Sequence, residues 1–104
     1  MWYLIYAVVP SGRSGEVIRL AEQAGSQGGT VIHGKGIGRK PKRFLHFEVE
    51  PMREIIWIIV EKEKYPEVSQ VIYQNMDLDK PGQGIVFVEP LSEVHGLVNQ
   101  KPAE

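Results

Sequence analysis

Residues 28–39 read GGTVIHGKGIGR, from Gly28 to Arg39, and the fold turns on how this stretch is parsed. Thr30, Val31 and Ile32 are β-branched in a row, which favours a strand. Glycines then recur at Gly34, Gly36 and Gly38, followed by a basic cluster of Arg39, Lys40, Lys42 and Arg43. Glycine lets a backbone approach a ligand closely, and successive N–H groups can form an anion-binding concavity. The same run also suits a strand that simply enters a loop. The flanking chain bears on that choice.

Upstream, Tyr3 to Val9 is a continuous apolar run closed by Pro10-Ser11-Gly12, the pattern of a buried strand. Ser14 is the expected N-cap of a helix, with Glu16 in the first turn where the helix dipole favours an anion. Val17, Leu20, Ala21 and Ala24 form its apolar stripe, and Gly25 ends it. Downstream, residues 37–53 are polar, first basic and then acidic. Phe47, Val49 and Pro51 alternate there with Glu48 and Glu50, which predicts an extended ribbon. Ile55 to Val60, IIWIIV, is a second unbroken apolar strand, and Glu61 to Lys64 is a solvated turn. Pro66 suits the first turn of a helix whose buried stripe is Val68, Val71, Ile72 and Met76. Asp77 to Gly84, DLDKPGQG, is a turn by composition. Ile85 to Val88 is the last strand, stopped by Pro90. The tail over residues 91–104 carries a short apolar patch, Val94, Leu97 and Val98.

The resulting order is β-α-β-β-α-β: an α+β, ferredoxin-like antiparallel sandwich with both helices on one face. One domain spanning residues 1–104 accommodates it, since 104 residues bury a core without staples. Two helices cover only one face of such a sheet, and a solvated second face should alternate apolar with polar residues. The strands at Leu4–Val9, Ile55–Val60 and Ile85–Val88 are apolar on both parities. A homo-oligomer packing sheet against sheet is the simplest cover, and folding back of residues 39–51 is the alternative.

Composition narrows the function. With no cysteine there is neither a disulfide framework nor a thiolate metal site. His33, His46 and His95 lack metal-ligand spacing, so no metal is expected. A net charge of −1 disfavours a general nucleic-acid binder. The opening MWYLIY has no basic lead and is cut by Pro10, so it reads as a strand rather than a signal or membrane span, and a cytoplasmic protein is expected.

Two glycine turns, Gly34 to Arg39 and Asp79 to Gly84, fall at opposite edges of the expected sheet. They would meet only between subunits, where their N–H groups would suit phosphates. GGTVIHGKGIGRK resembles the second strand and T-loop base of the PII (nitrogen regulatory) signal-transduction proteins. PGQGIVFVEP is similar to their B-loop and fourth strand. The resemblance runs from about Leu4 to Leu91. It implies a homotrimer with clefts between subunits for ATP or ADP, often with 2-oxoglutarate, and a T-loop, about residues 37–54, that docks an enzyme or membrane transporter. Departures of this chain from the family pattern open the cleft to AMP, another anion or no nucleotide. Carried over by position, Thr30 would approach the adenine. Gly36, Ile37, Gly38 and Arg39 would line base, ribose and phosphates, and Gly82, Gln83 and Gly84 would offer amides to the phosphates. Lys40, Lys42, Arg43 and Phe44 would belong to the partner-binding loop.

The chain departs from that pattern at several points. Ile85 stands where the family has a lysine, and Gly96 and Val98 fall near its paired phosphate-binding arginines. Lys40 replaces a glutamine that handles metal and 2-oxoglutarate. Each missing cation removes a charge-assisted hydrogen bond of about 1.5–3 kcal/mol. No tyrosine or serine lies between Gly38 and Arg53, so the family's modification switches lack an acceptor there. These features suit a divergent PII-like member that regulates a partner. The alternative is a CutA-like or structural trimeric module without nucleotide.

Catalysis has little to rest on. Acylphosphatases share the strand order and use a loop arginine with a sheet asparagine. Arg13 lies in such a loop, but Asn75 and Asn99 fall on no core strand, and no nucleophile–base pair emerges. An RNA-binding domain of this order would expose aromatics amid basic residues, which IIWIIV does not. His33 reads as a satisfied core or cleft residue. Trp57 reads as core or subunit interface.

Overall fold

The computed structural model describes residues 1–27, 29–35, 42–44, 47–49 and 52–96, with the backbone alone for Lys35 and for residues 42–44 and 47–49. The elements run β1 (Trp2–Pro10), α1 (Ser14–Gln23), β2 (Thr30–Lys35), β3 (Lys42–Phe44), β4 (Phe47–Val49), β5 (Met52–Glu61), α2 (Tyr65–Asn75) and β6 (Ile85–Pro90). The main sheet has the order β2-β5-β1-β6, and every pairing in it is antiparallel. This is the expected ferredoxin-like arrangement, with β1 and β5 central. The strands β3 and β4 pair with each other as a separate ribbon, setting Arg43 opposite Glu48.

Side-chain alternation along the strands builds the core. Ile5, Ala7 and Val9 of β1 and Ile56, Ile58 and Val60 of β5 point to the helix face and are buried. They meet Val17, Leu20 and Ala21 of α1, and Val68 and Ile72 of α2, in one cluster that also takes in Ala24 and Met76 at the two helix ends. Burial of each fully enclosed Ile or Val contributes roughly 1.5–3 kcal/mol. Val31, Val86 and Val88 extend the cluster towards the two edge strands.

The opposite face of the sheet carries Leu4, Tyr6 and Val8 of β1, in register with Ile59, Trp57 and Ile55 of β5. Within the single chain Trp57 is 42% exposed, Phe87 45% and Ile85 55%. Trp57 is therefore not a core residue of the monomer. Across this face Tyr6 stacks on Phe87 with ring centroids 4.5 Å apart and meets Trp57 edge-on at 6.2 Å.

Several boundaries differ from the expected ones. Ser14 is the first helical residue of α1, not its cap, because its hydroxyl is turned to the carboxylate of Glu54. The strand β5 extends back to Met52, since Arg53 pairs with Pro10 and Met52 with Lys35, so residues 52–54 are strand. The last strand continues to Pro90, opposite Tyr3. The side chain of His33 is 67% exposed, so it is not a core residue of the single chain. Among the described residues no helix is long and apolar enough to cross a membrane.

Candidate functional site

One end of the sheet gathers the chemically distinctive groups. There β1 finishes at Pro10, β2 finishes at Lys35, β5 begins at Met52 and the 77–84 turn enters β6. The antiparallel order requires this, because β1 and β2 run towards that end while β5 and β6 leave it.

The turn from Asp77 to Gly84 is built from its own backbone. Asp77 takes a left-handed φ of 56°, after which the Lys80 amide donates to the Asp77 carbonyl at 3.0 Å. The Gln83 amide donates to Lys80 at 3.3 Å, so that N–H is committed within the turn. Gly82 has φ 78° with open space where a Cβ would stand. Gly84 has φ 129°, and a Cβ there would collide with the Val8 carbonyl oxygen. Glycine at 84 is thus a packing requirement of the β1–β6 crossing, whereas at 82 only the backbone angle demands it.

Arg53 reaches this turn from β5. It shares the parity of Ile55 and Trp57, and its Nη1 donates to the Gly82 carbonyl at 3.1 Å. Its side chain spans the end of β1, opposite Pro10. Sequence reading took Arg53 only as the limit of a loop. The available signal was its parity with the open-face residues of IIWIIV.

On the other face, Glu54 is 5% exposed and binds the β1–α1 turn. Its Oε1 accepts the Gly12 amide at 2.6 Å and the Ser14 amide at 3.2 Å, and its Oε2 accepts the Ser14 hydroxyl at 3.3 Å. His33 Nδ1 lies 3.6 Å from Oε2. Burial pushes the carboxyl up, but the Gly12 and Ser14 donors, with the His33 charge, outweigh it and hold Glu54 below its ordinary value. The donors that an anion-binding loop would offer after β1 are therefore filled by the protein's own carboxylate. Arg13, in the same loop, pairs with Glu16 at 3.0 Å.

The expected site residues distribute as follows. Thr30 is exposed on β2, in register with Trp57 on the open face. Gly82, Gln83 and Gly84 lie at the opposite edge, beside β6, with β5 and β1 between. A single chain does not bring the two groups together. Gly36, Ile37, Gly38, Arg39 and Lys40 lie outside the described residues, as do Leu97 and Val98. Lys42, Arg43 and Phe44 form β3. Ile85 follows the glycine turn as an exposed apolar residue. Among the described residues no three His, Asp or Glu side chains converge as a metal site requires.

A family model described as "Nitrogen regulatory protein P-II" matches residues 2–101. No curated protein matches the chain. The match spans both helices, all four strands of the main sheet and both glycine-bearing segments. The chain belongs to the nitrogen regulatory protein P-II family, whose members are regulatory signalling proteins rather than enzymes.

Proposed function

We propose that this chain is a homotrimeric regulator that binds an adenine nucleotide between subunits and signals to a partner protein through its T-loop. The observation that carries the reading is the placement of two glycine-bearing segments at one end of the sheet but on opposite edges, β2 and β6. A neighbouring subunit packed on the open apolar face would bring one edge of its sheet towards the opposite edge of the first. Thr30, with residues 36–39 that follow β2, would then form the base and ribose side of a cleft. Gly82, Gln83 and Gly84 would form its phosphate side, with the Gln83 amide serving the turn and those of its neighbours serving the ligand. The ribbon of β3 and β4, with Lys42, Arg43 and Phe44, would be the contact to a partner enzyme or transporter. A cytoplasmic setting fits this role.

Calorimetric titration with ATP, ADP and AMP tests the reading. Saturable binding with one site per subunit is the expected result. A trimer that takes up none of the three would instead be the nucleotide-free structural or CutA-like module, a reading favoured by the exposed Ile85 beside the glycine turn.

A further inference from the structure

We propose that Arg53 is the cation that reads the ligand's phosphates at the Gly82 turn, supplied from β5 across the end of β1. The inference rests on the nucleotide reading above and assigns a residue that the family resemblance does not.

A glycine turn without a nearby cation is a weak anion site, because amide donors alone leave most of a diphosphate's charge uncompensated. The position directly after this turn is Ile85, 55% exposed and unable to help. The Arg53 guanidinium lies against the turn, donating from Nη1 to the Gly82 carbonyl at 3.1 Å. That bond uses one of the five N–H donors of a guanidinium, whose planar fork suits phosphate oxygens. The side chain is half-buried and emerges at the sheet end where β6 begins. Gly82 leaves the approach clear, since no atom lies within 4 Å of where its Cβ would be. Lys80, the other cation of the turn, is turned to Asp77, with Nζ 3.6 Å from Oδ1.

Arg53 is also the second residue of β5, four positions after β4 ends at Val49. A phosphate drawing on its guanidinium would therefore act on the glycine turn and on the start of β5 at once.

The test is calorimetry of wild type, Arg53→Gln and Arg53→Lys with ADP and with adenosine. Arg53→Gln is expected to weaken ADP by about tenfold or more while adenosine changes by less than about twofold, with Arg53→Lys between. Equal losses for ADP and adenosine would make Arg53 a staple of the turn alone and overturn the proposal. So would an unchanged ADP affinity in Arg53→Gln, which leaves the nucleotide reading intact. If wild type binds neither nucleotide nor adenosine, the nucleotide reading fails and pyrophosphate becomes the probe. Pyrophosphate binding that Arg53→Gln abolishes keeps the guanidinium as the anion reader, and no pyrophosphate binding by wild type removes it.

Discussion

The Glu54 carboxylate accepts the Gly12 amide at 2.6 Å across 42 positions of sequence, tying the start of the central strand β5 to the first turn of the molecule. Removing the carboxylate leaves the Gly12 and Ser14 donors without their acceptor beside a packed core. Glu54→Gln keeps the size but weakens the acceptors, and Glu54→Ala also opens a void. Both variants are expected to lower Tm, by about 5 °C or more for Glu54→Ala. The pH dependence follows from the direction of the shift. The carboxyl is held below its ordinary value in the folded state. Its contribution is present above the unfolded value and is lost as pH falls through the folded one. Thermal melts from neutral pH into the acid range should show wild type and Glu54→Gln converging as pH drops below the carboxylate range. A gap that stays constant with pH would mean that the charge of Glu54 contributes nothing.

Gly84 and Gly82 make a paired prediction, because both have positive φ but only one is crowded. At φ 129°, with the Val8 carbonyl oxygen in the place of a Cβ, Gly84→Ala must displace β6 from β1. A loss of about 2 kcal/mol or more is expected, through strain and the disturbed ladder. Gly82→Ala meets no atom at φ 78° and should cost only about 1 kcal/mol. Urea denaturation of the two variants measures the difference. Equal losses would show that the contact with Val8 relaxes freely.

The architecture was legible because three strands stand out as bounded apolar runs and two helices by their period. The 3.6-residue stripes of Val17–Ala24 and Val68–Met76 place the helix side of the core, and the two-sided apolarity of IIWIIV marks a second face left open in the single chain without telling which parity is which. The site was less legible. Glu54 sat among acidic loop residues in the sequence, yet it shares even parity with Ile56, Ile58 and Val60 and so points inward. Nothing local shows that its partners are Gly12 and Ser14, since that contact depends on β1 and β5 pairing in one particular register. Arg53 was obscured for the same reason: its partner Gly82 lies 29 positions away and meets it only through the strand order. The core reading of His33 fails although its neighbours Val31 and Ile32 are apolar, because an edge strand leaves one flank to solvent.

The uncovered face predicts the assembly. Trp57, Phe87 and Ile85 are each about half exposed in one chain, a patch that a stable monomer would rarely leave bare. Wild-type protein is expected to run as a trimer in light scattering. Trp57→Glu would place a charge at the centre of the packed face, while the helix-side core stays intact. Burial of the rest of that indole is worth roughly 2 kcal/mol per subunit, and burying an unpaired carboxylate costs more. The variant should therefore be a folded monomer by circular dichroism. A wild-type monomer would remove the cleft between subunits altogether, and a trimer that survives Trp57→Glu would place the interface elsewhere.

Tyr6 provides a spectroscopic reporter for the same face. Its hydroxyl donates to Glu89 Oε1 at 2.6 Å while its ring stacks on Phe87. The hydrogen bond to Glu89, then burial and the carboxylate charge, all push the phenol above its ordinary value. Because the folded value is raised, the stabilisation is fully present below the unfolded value of 10.0 and is lost as pH rises through the folded one. An ultraviolet titration should show a phenol step above the ordinary value, and Tyr6→Phe should delete that late step alone. The variant should also lose less stability than wild type on passing into strong alkali, because it has no proton to release there. Glu89→Gln should move the late step back towards the ordinary value. A late step that persists in Tyr6→Phe would belong to another ring, and the Tyr6–Glu89 bond would not be what sets it.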